Sequence, residues 1–307
     1  MARGAVVLGT DVDVYVEVRR AAGFSFRSEA RPLASFAAFS EARGCSHVRA
    51  SLAIEWAGLA TSVSQRARRL GHVIRLAQYL RAEDLHHEVP PAVFGAEKRA
   101  RPVPFILSVE QIGMLVQAAS RSGYRTLRRD TYSTLFALLA STGLRVSEAI
   151  HLRLEDITPD GLVIRCSKFR KSRLVPLHET ARAGLDRYLS RRLAYAPTEF
   201  HVFVSLRRKP LLLHDVEVAF QTAARALGLP ASPRARPTPH SLRHTFAVRA
   251  LQACPDGRDA IRRHMLALST YLGHAKVADT CWYLEAVPEL MTDIADCCER
   301  FVMGGRP

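Results

Sequence analysis

The sequence predicts a mainly α protein with a small antiparallel β-sheet in the second of two domains. Three observations lead there. Apolar residues recur every three or four positions through most of the chain, and one segment near the middle alternates with period two. A proline-rich basic stretch, HHEVPPAVFGAEKRARPVPF at residues 86–105, interrupts the periodic pattern. Interdomain linkers have this character. The division that follows is a helical domain over residues 1–90, a basic linker over 91–105, a second domain over 106–283 and an amphipathic tail helix over 284–307.

The first domain reads as a small helical bundle. Helical spacing runs over residues 11–20, over 28–42 with Leu33, Phe36 and Phe39 on one face, and over 50–60. A fourth helix, SQRARRLGHVIRLAQYLRAED, aligns Leu70, Val73, Ile74, Ala77 and Leu80 and sets Arg66, Arg68, Arg69 and Arg75 on its other face. Such a stripe is either solvated charge or a surface for a polyanion. After the linker, Ser108 and Gln111 form a capping-box pattern ahead of a helix. The segment YSTLFALLASTGLRVSEAIHLRLEDI then reads as helix, turn at 141–143 and short helix, with Val146, Ala149 and Ile150 inward and Arg145 and Glu148 sharing the other side. GLVIRCS and SRLVPL, joined by the basic turn KFRK, predict a hairpin. Helices follow over 179–193 and 215–227, the latter stopped by Gly228. A last one, PTPHSLRHTFAVRAL at 237–251, docks an apolar face and leaves His240 and Arg243 on the opposite one.

With 307 residues, 48% of them apolar, the chain can bury a sizeable core, and a net charge of +15 favours a polyanionic partner, nucleic acid or an anionic membrane surface. The membrane alternative lacks an apolar run of about 18 residues, a signal-peptide start and a basic amphipathic anchor, so no membrane partner and a cytoplasmic location are expected. The six cysteines contain no CxxC pair and suggest reduced thiols. His240 and His244 could begin a metal site, but no third ligand stands at suitable spacing, and neither metal nor cofactor is expected.

Singly, these histidines and arginines are ordinary. Together, TGLRVSEA at 142–149, SKFRKSRLVPL at 167–177, HSLRHTFA at 240–247 and LGHAKVADTCWY at 272–283 resemble, in order and approximate spacing, the tyrosine recombinase and integrase family, which includes phage integrases and Xer-type enzymes. The resemblance implies a two-domain DNA-clamp architecture of the DNA breaking-rejoining type. It also implies a catalytic set of Arg145, Lys168, His240, Arg243, His274 and Tyr283. Tyr283 would be the nucleophile, His240 the group that takes its proton, and Lys168 the acid for the leaving oxygen. The two arginines suit phosphate oxygens, because guanidinium binds them bidentately and stays charged. Glu148 would orient active-site groups and His244 would buttress them. The other seven tyrosines read as core or half-buried residues, and Trp282 as packing.

Phosphate contacts are expected from Arg66, Arg68, Arg69 and Arg75, from Lys98, Arg99 and Arg101 in the linker, and from Arg170, Lys171 and Arg173 in the hairpin. The implied partner is double-stranded DNA with specific recombination sites, bound by a homotetramer with or without partner recombinases, near the nucleoid. The tail would dock in a neighbouring subunit. Integration or transposition of a mobile element is favoured over chromosome-dimer resolution. The alternatives are a non-catalytic DNA-binding protein of the same fold and a type IB topoisomerase.

Overall fold

The computed structural model describes residues 8–95, 104–121, 126–165, 172–230, 236–253, 258–274 and 276–285. The chain divides into two compact units, Met1–Arg101 and Pro102–Pro307. The described residues are mainly helical, with one three-stranded antiparallel sheet.

In the first unit, α1 (Leu8–Ala21), α2 (Arg27–Glu41), α3 (Ala50–Gly58) and α4 (Val63–Leu80) enclose one core. Leu8, Leu33, Phe36, Leu70 and Leu76 are buried there, and Trp56 packs its ring against Phe36. The ends of the helices are tied by side chains. Ser62 accepts a hydrogen bond from the Gln65 N–H at the start of α4, and Glu88 accepts one from the Ala50 N–H at the start of α3. The arginines of α4 are less uniform than a single solvent-facing stripe. Arg68 and Arg75 are exposed, but Arg66 donates through Nε to the Ala60 carbonyl and Arg69 lies over the Trp56 ring. Lys98, Arg99 and Arg101 lie outside the described residues.

The second unit begins with α5 (Val109–Arg121), capped as its sequence predicts: Ser108 Oγ accepts from the Gln111 N–H while Gln111 Oε1 accepts from the Ser108 N–H. It continues through α6 (Thr126–Thr142), α7 (Val146–Ile150), β1 (Ile157–Thr158), β2 (Gly161–Ile164), β3 (Arg173–Val175), α8 (Glu179–Tyr195), α9 (Leu213–Ala226), α10 (Pro239–Gln252), α11 (Arg258–Leu272) and α12 (Ala278–Glu285). The hairpin is β2–β3, in the register Leu162↔Val175 and Ile164↔Arg173. β1 adds a third strand that two residues of sequence could not announce by alternation. Lys168, Arg170 and Lys171, at the hairpin tip, and the tail from 286 onward lie outside the described residues.

Two apolar clusters meet along α10. Leu135, Phe136 and Leu139 of α6, Phe220 of α9 and Leu242 of α10 belong to the larger one. Ala247, Val248 and Leu251, further along α10, pack with Leu268 and Leu272 of α11 and with Tyr283 of α12. Because α10 is covered on both sides, Ser241, Arg243 and Thr245 are buried between two packed bodies, while His240 at its start stays exposed. Gly143 makes this packing possible. It ends α6 with a φ of 61°, and a Cβ there would sit 2.5 Å from the Phe246 ring. Gly143→Ala is expected to cost about 1–3 kcal/mol, measured by urea unfolding with Trp282 fluorescence in a Trp56→Phe background; unchanged stability would contradict this account.

Candidate active site

The start of α10 is fixed by its own sequence. Thr238 and Ser241 form a reciprocal cap, Pro239 occupies the first turn where no N–H is needed, and Thr245 Oγ1 accepts from the Leu107 N–H. His240 therefore sits in the first turn with solvent access. Arg243, one turn further, is only 2% exposed. The two do not share a solvent-facing side as the sequence suggests: Arg243 turns inward. Its Nη1 donates to the Gly143 carbonyl at 2.6 Å, and its Nη2 donates to the Leu272 carbonyl at 2.7 Å and to His274 Nε2 at 3.1 Å.

The carboxyl end of α11 is the other half of the site. Gly273, at φ 65°, closes the helix in a Schellman arrangement, with the Gly273 N–H on the Thr270 carbonyl and the His274 N–H on the Ser269 carbonyl. The carbonyls of Tyr271, Leu272 and Gly273 are left without helical partners. Each receives an arginine: Arg173 Nε on Tyr271 at 2.7 Å, Arg243 on Leu272, and Arg145 Nη2 on Gly273 at 3.0 Å. The next residue is His274. Arginine can only donate, so His274 Nε2 is the acceptor, and its Nδ1–H donates to Thr280 Oγ1 at 2.7 Å. Thr280, fully buried in α12, is a site residue that the sequence pattern did not single out.

Glu148 joins the arginines. Its carboxylate accepts from the Arg145 N–H and Nη1, and from Nη1 and Nη2 of Arg173. Burial pushes the carboxyl up, but the hydrogen bonds from Arg173 and Arg145 prevail and hold it near a pKa of about 2. The side chain of Arg173 is 9% exposed and tied to Glu148 and Tyr271, so it braces the hairpin against α7 and α11.

Tyr283 is 3% exposed. Its ring stacks on His274 at a centroid distance of 6.2 Å and meets His244 edge-on at 5.5 Å. Burial raises its pKa, and the nearby charge of Arg243 opposes the rise. The three histidines move the other way. Lost hydration, then the Arg243 and Arg145 charges, lower His240 and His274 to about 4; lost hydration, then His240 and Arg243, lower His244 to about 3. His240 keeps its solvent access despite this. Burial also lowers Arg243, to about 10, which leaves it charged at neutral pH. His244 touches both His240 and Tyr283 with its ring, and its buried Nδ1 has no hydrogen-bond partner. Arg145, His240, Arg243, His274 and Tyr283 are thus brought together, with Glu148 and His244 against them.

Two arginines, neutral histidines and a tyrosine gathered on a helical scaffold define a tyrosine recombinase of the DNA breaking-rejoining kind. The chain belongs to the phage integrase family, whose sequence profile matches residues 106–289. It is 38% identical over 301 residues to the putative integrase/recombinase y4rB of Sinorhizobium fredii, covering 94% of this chain and 96% of that one. It is 30% identical to the tyrosine recombinase XerD of Rhizobium meliloti, covering 92% and 93%. Among solved structures, the fold resembles XerH bound to its difH substrate after cleavage (TM-score 0.63, 17% identity, 95% of this chain and 85% of that one) and a lambda integrase dimer bound to a core site (TM-score 0.61, 18% identity, 90% and 76%). The chain is a recombinase of this family, and DNA recombination is its field of activity. No helix among the described residues is long and apolar enough to cross a membrane.

Two measurements check the site. Arg173→Met is expected to destabilise the protein by about 3 kcal/mol, the lower end for a broken buried ion pair because Arg145 still faces Glu148. In a double-mutant cycle with Glu148→Gln the two losses should fall short of additive, and strict additivity would refute the coupling. Because His244 titrates lower folded than unfolded, its contribution to stability is complete above the free imidazole value of about 6.5 and is lost as pH falls toward 3. His244→Gln should therefore make unfolding free energy less steep between pH 6 and 4, by up to about 1.4 kcal/mol per pH unit.

Proposed function

We propose that the chain cleaves and rejoins duplex DNA at specific sites through a 3′-phosphotyrosine intermediate on Tyr283. The observation that carries this reading is the convergence of Tyr283 with the imidazoles of His274 and His244, with Arg243 donating to that same His274 and Arg145 donating to the neighbouring Gly273 carbonyl. The arginines and His274 bind the non-bridging oxygens of one phosphodiester and stabilise the charge that builds on them. Tyr283 Oη attacks phosphorus, its proton passes to His240, and the bond to the 5′-oxygen breaks as Lys168 protonates that oxygen. A 5′-hydroxyl from the partner strand then attacks the phosphotyrosine and releases Tyr283. The bond energy is conserved through the cycle, so no nucleotide is consumed.

The depressed histidine values belong to the site without DNA. A phosphodiester anion placed among Arg145, Arg243 and His274 raises the nearby imidazoles and lends His240 the basicity that proton transfer needs. Arg68 and Arg75 on α4 remain as phosphate contacts, and Lys98, Arg99, Arg101, Arg170 and Lys171 complete that set. Four copies on two sites would pass strands through a Holliday junction, with residues 284–307 docking between neighbours. The likeness to y4rB, which is described as an integrase/recombinase, favours work on a mobile element.

The test is covalent trapping on nicked suicide substrates taken from DNA flanking the gene. Wild type should form an SDS-resistant adduct and Tyr283→Phe none. Arg145→Lys should bind the same DNA and form the adduct about 10²–10³-fold more slowly. Site-specific binding with no adduct from wild type would transfer the reading to a non-catalytic DNA-binding protein, and relaxation of supercoils without site preference to a topoisomerase.

A further inference from the structure

The first unit carries a second cluster of chemically active side chains, built independently of the recombinase site. His47, in the loop between α2 and α3, and Asp84 and His86, just after α4, present ligand atoms that all lie within 4.8 Å of one another. His47 Nε2 stands 3.1 Å from one oxygen of Asp84, and His86 Nδ1 stands 2.7 Å from the other. Donor atoms around a tetrahedral zinc ion with bonds of 2.0–2.1 Å are separated by about 3.3 Å, so small shifts bring these three onto a common centre. We propose that His47, Asp84 and His86 bind one divalent transition-metal ion, zinc by preference, with solvent completing the coordination.

Three features support a cation there. The first is orientation. Ser46 Oγ lies 2.9 Å from His47 Nδ1, which holds the imidazole with Nε2 toward Asp84 from outside the ligand set, and the backbone N–H of His86 donates to Asp84 Oδ1 and fixes the carboxylate. The second is the donor set, two imidazoles and one carboxylate, which are nitrogen and oxygen ligands of the kind zinc takes. The third is the frame. His87 is 4% exposed and accepts the Val48 N–H through Nδ1, while the Glu88 N–H donates to the Val48 carbonyl, so the two ligand-bearing segments are already laced together. Spacing along the chain hides this site because its ligands come from positions 37 residues apart.

The experiment is calorimetric titration of ZnCl₂ into full-length protein stripped with EDTA and dialysed at pH 7.5. One equivalent should bind. The double variant His47→Ala/His86→Ala should lose it, and Ser46→Ala, which removes only the outer support, should weaken it about 10–100-fold. His240→Ala/His244→Ala, in the recombinase site, should bind as wild type does. Circular dichroism establishes that each variant is folded. Absence of uptake, uptake indifferent to the His47/His86 change, or uptake abolished by the His240/His244 change would each overturn the proposal. None of these results bears on Tyr283 chemistry, which adduct trapping tests separately.

Discussion

The site depends on how one helix ends. A helix leaves its last carbonyls without partners and its carboxyl end carries partial negative charge. At the end of α11 the carbonyls of Tyr271, Leu272 and Gly273 each take a different arginine, from β3, from α10 and from the cap of α7. Three cations can be packed so closely because they meet oriented carbonyl dipoles, and Glu148 brings a carboxylate into contact with two of them. Gly273 is where this arrangement is least tolerant. Its φ of 65° suits glycine, and a Cβ would come within 2.8 Å of Arg173. The residue that follows the turn is His274, so the stop signal of the helix also sets the position of a site imidazole.

This geometry gives the hairpin a part in the site. Arg173 is paired with Ile164 at the end of the β-ladder and with Glu148 inside the unit, so the strand leading from the 166–171 segment is anchored to the same carboxylate that orients Arg145. Whatever moves β3 therefore moves the charge environment of Arg145. An arginine in a basic turn is ordinarily read as a surface contact, and here the equivalent residue has become part of the frame.

Much of this was legible in the sequence, for identifiable reasons. The helices of the first unit and the capped start of α5 follow from periodicity and local hydrogen-bonding chemistry, both of which act over a few residues. Arg145 with Glu148 follows from their spacing on a short helix. The inward turn of Arg243 was not legible, because it depends on two apolar clusters meeting along α10, and a segment that is covered on both sides shows no single polar face. Nor were Thr280 and the bracing role of Arg173. Their partners, His274 and Glu148, are fixed by the tertiary meeting of α10, α11 and β3, and a buried threonine or a hairpin arginine carries no local mark of it. β1 escaped notice because two residues cannot show a period.

The electrostatics of the assembled site are set by burial and by the close arginines. Arg243 is buried and still charged, the histidines around it are driven toward neutrality, and Tyr283 is held as a phenol by burial. Neutral imidazoles lessen repulsion that charged ones would add. Lost hydration is the larger cause of each histidine shift, and at His240 and His274 the Arg243 and Arg145 charges add to it. In the proposed reaction a phosphate among these groups would offset the arginine part of those shifts and leave the burial part in place. A neutral ligand of equal shape would offset neither, so on that proposal the charge of the target matters to His240 and His274 as well as its contacts.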